Sequence, residues 1–149
     1  MKEYITENFF EDILEAIDFS DRDIREYSPL VFAYLGDAIY EVFIRTYVVA
    51  NNNVPMYRLH KYSTSYVKAK AQSDVIHKIF DKLTDEEKDI VRRGRNAKSA
   101  TIPKNADVTE YKYATGFESL LGYVYLKKDY GRLMELLKMC VGQECNRST

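Results

Sequence analysis

Asp37 and Glu118 are acids set inside otherwise apolar helical stretches. The first lies in Ala33-Tyr34-Leu35-Gly36-Asp37-Ala38-Ile39-Tyr40-Glu41, the second in Ala114-Thr115-Gly116-Phe117-Glu118-Ser119-Leu120-Leu121-Gly122. Small residues accompany both: Ala33 lies one turn before Asp37 and Gly36 adjoins it, while Ala114 and Gly122 bracket Glu118 at four-residue spacing. A glycine inside a helix costs about 1 kcal/mol against alanine, so Gly36 and Gly122 point to close backbone approach. If those small faces meet, the two carboxylates come together, and such a pair repels unless a proton or a cation lies between them. His60 and His77 are the only histidines and no HExxH pattern occurs, so zinc chemistry falls away and a hard cation such as magnesium fits better. A plainer reading stays open, in which Asp37 caps a neighbouring segment or pairs with a base such as Arg45. Glu41, one turn beyond Asp37, reads as a surface or salt-bridging residue rather than a ligand.

A second feature is basic. Lys and Arg total 22 against 23 Asp and Glu, a net charge of -1 that argues against a wholly basic nucleic-acid coat protein. The balance hides an asymmetry: residues 1–27 carry nine acids and three bases, whereas residues 58–104 carry twelve bases and six acids. Arg92, Arg93, Arg95, Lys98 and Lys104 follow one another with no acid among them. Local potential outweighs total charge in polyanion binding, so this segment is a candidate phosphate-gripping surface. Cations at a helix C-terminus also complement its dipole, which accounts for the arginines but not for Lys98 and Lys104. Lys68 and Lys70 are weaker candidates. Cys140 and Cys145 lack the further ligands of a zinc site and read as ordinary reduced cysteines, Cys140 packed on a helix.

These residues need helices to position them. Six Gly and three Pro punctuate 149 residues, and no alternating Val- or Ile-rich run stands out as a strand. Phe10, Ile13, Leu14 and Ile17 form the stripe of a first helix over about Glu7 to Asp18. Ser28-Pro29 opens a second that ends at Asn51-Asn52-Asn53. Pro55 starts a short helix, and a longer one is expected from about Thr64 to Leu83. Thr84 and Glu87 form a capping box for a helix running into Arg92–Arg95 and stopping in the loop 96–105. A long helix over about Asp107 to Lys128 and a last one over about Tyr130 to Gly142 complete the chain. The expected class is all-α with six or seven helices. Length bounds it to a single domain, no apolar run reaches the roughly 20 residues of a membrane span, and the acidic start MKEYITENFFEDILE argues against export. The expected compartment is the cytoplasm.

At this point the motifs carry a resemblance. YLGDAIYEVFIR resembles the signature helix of the ribonuclease III family, and FESLLGYVYL its second acidic motif. The intervening RRGRNAKSATIPKNAD resembles the corresponding loop of Mini-ribonuclease III, the short branch without a separate double-stranded-RNA-binding domain. Only 31 residues follow Glu118, which agrees with that branch. The likeness covers roughly residues 28–140, so 1–27 reads as an acidic helical extension and 28–149 as the catalytic domain. Longer family members have a further Glu where this chain has Ala33 and a further Asp where it has Thr115; similar losses mark the Mini branch. The resemblance implies a homodimeric, magnesium-dependent endoribonuclease acting on double-stranded RNA, with Asp37 and Glu118 as metal ligands and the basic segment on the RNA. It further implies maturation of large-subunit (23S) ribosomal RNA precursors, with a large-subunit ribosomal protein as a candidate partner. The competing class is a non-catalytic helical RNA-binding or ribosome-assembly factor, which a magnesium-dependent cleavage assay separates.

Overall fold

A computed structural model describes residues 8–17, 19, 23–98 and 102–142; Cys145 lies outside them. Within these the chain forms seven α-helices and two short 3-10 turns, Ile24–Glu26 and Phe80–Lys82, and no strand. The helices are α1 Phe9–Ala16, α2 Pro29–Asn51, α3 Met56–Val67, α4 Ala69–Ile79, α5 Asp85–Asn96, α6 Val108–Leu126 and α7 Tyr130–Cys140. The all-α expectation therefore holds.

The starts follow from side chains that accept the otherwise unpaired first N–H groups. Asn8, Ser28, Asp107 and Asp129 cap α1, α2, α6 and α7, and Thr84 with Glu87 closes both halves of the capping box on α5. One boundary departs from the sequence expectation. In place of a continuous helix from about Thr64 to Leu83, the chain breaks at Lys68, whose backbone is extended. The hydroxyls of Thr64 and Ser65 donate to the carbonyls of His60 and Tyr62, a local competition that weakens a helix end. The carbonyls freed by the break are then satisfied from elsewhere: the Tyr40 hydroxyl donates to Tyr66 O at 3.3 Å and the Gln72 amide to Val67 O at 2.9 Å.

Helix α6 is the central element, buried from Gly116 to Leu126 except at Glu118. A helix apolar all round belongs inside a bundle, and α2, α4, α5 and α7 all pack on it. The α2–α6 contact is the closest kind, backbone to backbone. A Cβ on Gly36 would overlap the Glu118 carbonyl, and one on Gly122 would overlap the Phe32 carbonyl. Tyr40 meets Phe117 edge-on with ring centroids 5.0 Å apart, and Phe32 meets Tyr123 at 5.4 Å. The Ser119 hydroxyl lies 2.8 Å from the Pro29 carbonyl, fixing where α2 begins along α6.

Two attachments complete the bundle. Arg132 on α7 grips buried Glu87 on α5 through two hydrogen bonds of 2.9 and 2.8 Å, and Leu14 and Phe10 seat α1 on the core, Phe10 at 5.6 Å from Tyr125. Cys140 is buried on α7, its Sγ donating to Leu136 O. No described helix is long and apolar enough to cross a membrane.

Candidate active site

The glycine contact between α2 and α6 decides where the two acids sit. Because Gly36 presents no side chain, its neighbour Asp37 is carried alongside the turn of α6 that holds Glu118. Both line one open cavity of about 460 Å³, between α2, α4 and α6. Ala33 and Thr115 line it as well, so the two positions where the resemblance expects acids in longer family members stand at the cavity as a methyl group and a hydroxyl. Thr115 donates its hydroxyl to Tyr111 O at 3.0 Å. Pro103 and Ala106 bring the end of the basic connection to the same opening.

The electrostatics are those of an unneutralised acidic pair. Burial pushes the Glu118 carboxyl up to about 8, and the like charges of Asp37 and Glu41 push in the same direction. Asp37 is raised as well, by its own partial burial and then by Glu41. Arg45 does not relieve them. It pairs with Glu41 at 2.9 Å, one turn along α2, and among the described residues neither Asp37 nor Glu118 has an ion pair. The reading of Asp37 as a partner of Arg45 therefore fails, and that of Glu41 as a salt-bridging residue holds.

The donor set suits a hard divalent cation that keeps much of its water. Two carboxylates supply charge and oxygen, and no described group of three or more His, Cys, Asp and Glu side chains converges as a complete protein cage. Magnesium is bound in this way, through one or two carboxylates with waters and substrate phosphates filling the remaining positions.

The basic residues divide between two places. Arg92, Arg93 and Arg95 belong to the last turns of α5, and Lys98 and Lys104 lie exposed in the connection to α6. Arg92 stands over the Phe80 ring at 5.5 Å and Arg95 over the Tyr113 ring at 5.5 Å. Lys70 is committed to Asp74 at 2.9 Å, and Lys68 marks the break before α4.

Sequence reasoning missed the remaining walls of the acidic cavity. Tyr111, Ala114, Thr115 and Glu118 follow helical spacing and share it, a signal that was available. Gln72 was not legible: it is 2 % exposed, lines the cavity, and its Oε1 is buried without a hydrogen-bond partner. Its position depends on the break at Lys68.

Comparison with known proteins supplies the family. The ribonuclease III domain matches residues 30–129. A Mini-ribonuclease 3 of Thermoanaerobacter sp. is 55% identical over 114 residues, 76% of this chain and 80% of that protein. The Mini-ribonuclease 3 of Clostridium tetani is 45% identical over 125 residues, 83% of each chain. A crystal structure of a Fusobacterium nucleatum protein superposes with a TM-score of 0.72 at 38% identity, covering 81% of this chain and 97% of that one. Paired with two carboxylates on adjoining helices, these likenesses leave one conclusion: the chain belongs to the ribonuclease III family, in its Mini-ribonuclease III branch, and is an endoribonuclease acting on RNA.

Proposed function

We propose that the enzyme cleaves double-stranded RNA with magnesium held between Asp37 and Glu118, and that its substrate is a precursor of large-subunit (23S) ribosomal RNA. The observation that carries this reading is the acidic pair at one opening, with Glu118 forced up to about 8 by burial and its acidic neighbours. A bound divalent cation supplies charge neutralisation at the scissile phosphate and a water acidic enough to act as nucleophile near neutral pH.

The protein's own groups have separate tasks. Asp37, at the exposed edge, would hold the metal and orient the attacking water. Glu118, deeper against α2, would be the partner ligand, held as a carboxylate by the cation's charge. Waters and RNA phosphates would complete the cation's coordination, since Ala33 and Thr115 supply no carboxylate. Attack by water on the backbone phosphorus would break the bond to the 3′ oxygen; the water's proton passes to solvent and the leaving 3′ oxygen takes one up from solvent, leaving a 5′-phosphate and a 3′-hydroxyl. Arg92, Arg93, Arg95, Lys98 and Lys104 grip phosphates and so set affinity without taking part in the chemistry.

A homodimer places one such site near each strand of the duplex. In support, Tyr34, Val42, Val49, Met56 and Tyr57 are between 57% and 81% exposed along α2 and the start of α3, large apolar side chains of the kind a second copy would cover. The enzyme is proposed to act in the cytoplasm, with a large-subunit ribosomal protein as a candidate for presenting the substrate.

The test is incubation of duplex RNA with the protein, with magnesium and with EDTA, followed by analysis of the new ends. Cleavage only with magnesium, yielding 5′-phosphate and 3′-hydroxyl ends, is expected. Cleavage undiminished in EDTA, or restricted to single strands, contradicts the reading.

A further inference from the structure

A second cavity, of about 340 Å³, lies between the C-terminal half of α4, the turn Phe80–Lys82, α5 and the start of α6. It shares no lining residue with the acidic one. Its apolar floor includes Ile76 and Val91, each 1% exposed, and its rim carries the guanidinium groups of Arg92 and Arg95. Among the described residues neither arginine has an ion pair. Aromatic faces hold them instead. Arg92 lies over Phe80, and Arg95 lies over Tyr113 while donating through Nη1 to the Tyr113 hydroxyl at 3.4 Å and through Nε to Asn96 Oδ1 at 3.2 Å, which leaves its Nη2 donors free. A ring face fixes a guanidinium through its plane and leaves N–H donors for phosphate oxygens.

Two further groups make this more than an anion cradle. The carboxylate of Asp81 lines the same cavity and likewise has no ion pair among the described residues. It would repel a phosphate placed beside it but accept hydrogen bonds from a donor-rich edge. His77 packs against Tyr113 with ring centroids 4.2 Å apart, and its Nδ1 donates to Ser73 O at 2.7 Å, which fixes the ring. The volume suits a small organic ligand and is far larger than one phosphate needs.

We propose that this cavity binds one guanine nucleotide, with its phosphate on Arg92 and Arg95, its base on the apolar floor, and the N1–H and amino donors of guanine on Asp81. Guanine presents two adjacent donors on its Watson–Crick edge, the arrangement a carboxylate accepts best. In a duplex those donors are spent on cytosine. The occupant is therefore unpaired, either a free guanine nucleotide or an unpaired guanosine in the RNA. The proposal deepens the reading of Arg92 and Arg95 as phosphate contacts and rests on it. Its test uses no magnesium and no cleavage, so its failure is separate from any failure of the nuclease reading.

The experiment is titration of the full chain, in EDTA, with GMP, AMP, UMP and inorganic phosphate, followed by calorimetry or by NMR of the His77 and Tyr113 signals. Saturable GMP binding is expected, about fivefold or more tighter than UMP and than phosphate. Arg92→Gln with Arg95→Gln should weaken GMP about tenfold or more, and Asp81→Asn should remove the preference for GMP while keeping phosphate-dependent binding. Circular dichroism melting verifies that each variant is folded, and Tyr113→Phe, which loses only the hydroxyl tether of Arg95, gives a milder second reading of the same effect. A second arm compares duplexes carrying one unpaired G or one unpaired U. Tighter binding of the G duplex assigns the occupant to RNA, and equal binding alongside selective GMP binding assigns it to free nucleotide. No saturable GMP binding, equal binding of all the nucleotides, or inorganic phosphate binding as tightly as GMP overturns the proposal.

Discussion

Burial strips water from the Glu118 carboxyl, and Asp37 and Glu41 face it with like charge, which together push it from its ordinary 4.5 up to about 8. Between those values the folded, metal-free protein keeps a proton that the unfolded chain has released. Stability from this group is therefore fully present below the unfolded value and is lost as pH rises through about 8. At about 1.4 kcal/mol per unit, the gap amounts to about 3–5 kcal/mol. Glutamine has nearly the same shape and no proton to lose, so Glu118→Gln should remove the slope. The assay is urea unfolding of both proteins in EDTA at a series of values from about pH 5 to about pH 9. At the acid end the two should be nearly equally stable; at the alkaline end the variant should lead by about 3–5 kcal/mol. Millimolar magnesium should narrow the lead at high pH, since a cation that binds only the folded, ionised site stabilises it by mass action. Two stability curves that stay parallel across the whole range would refute the buried, proton-holding carboxyl.

Gly36→Ala places a methyl group on the Glu118 carbonyl; it should cost about 3 kcal/mol or more and disrupt cleavage, whereas Gly131→Ala, with open space around it, should be neutral or stabilising by about 0.5 kcal/mol; thermal melts compare them. Arg132→Met leaves Glu87, 5% exposed, buried without its partner and should cost about 3 kcal/mol in urea unfolding; retention of wild-type stability would show the pair to be dispensable. Neutralising Arg92, Arg93 and Arg95 together to Gln should flatten the slope of log affinity for duplex RNA against log salt by about 2 to 3 units; an unchanged slope would reduce these arginines to helix-terminal charges.

The helices were legible because their signals are local. The caps Ser28, Thr84 and Asp107, and the Gly-and-Ala faces around Asp37 and Glu118, are adjacent in sequence to what they determine. The meeting of α2 with α6 was legible too, since a mid-helix glycine has few reasons to be there other than close approach. The break at Lys68 was not, because its compensation comes from Tyr40, 26 residues before the Tyr66 carbonyl it satisfies. Gln72 was missed for the same reason. The cavity under Arg92 and Arg95 depends on Ile76, Phe80 and Tyr113 arriving from different helices and turns, and the run of charges gave no hint that aromatic faces, rather than acids, would stand against the arginines.

Cleavage of duplex RNA in magnesium by wild type and by Asp37→Asn tests the central assignment most directly. The amide keeps the volume at the exposed edge of the cavity and removes the charge, so the fold and duplex binding should persist. Cleavage should fall by about a thousandfold or more, the loss expected when a metal site that supplies several kcal/mol of transition-state stabilisation is dismantled. An Asp37→Asn protein that cuts within a few-fold of wild type would contradict the assignment of Asp37 and Glu118 as the catalytic metal pair.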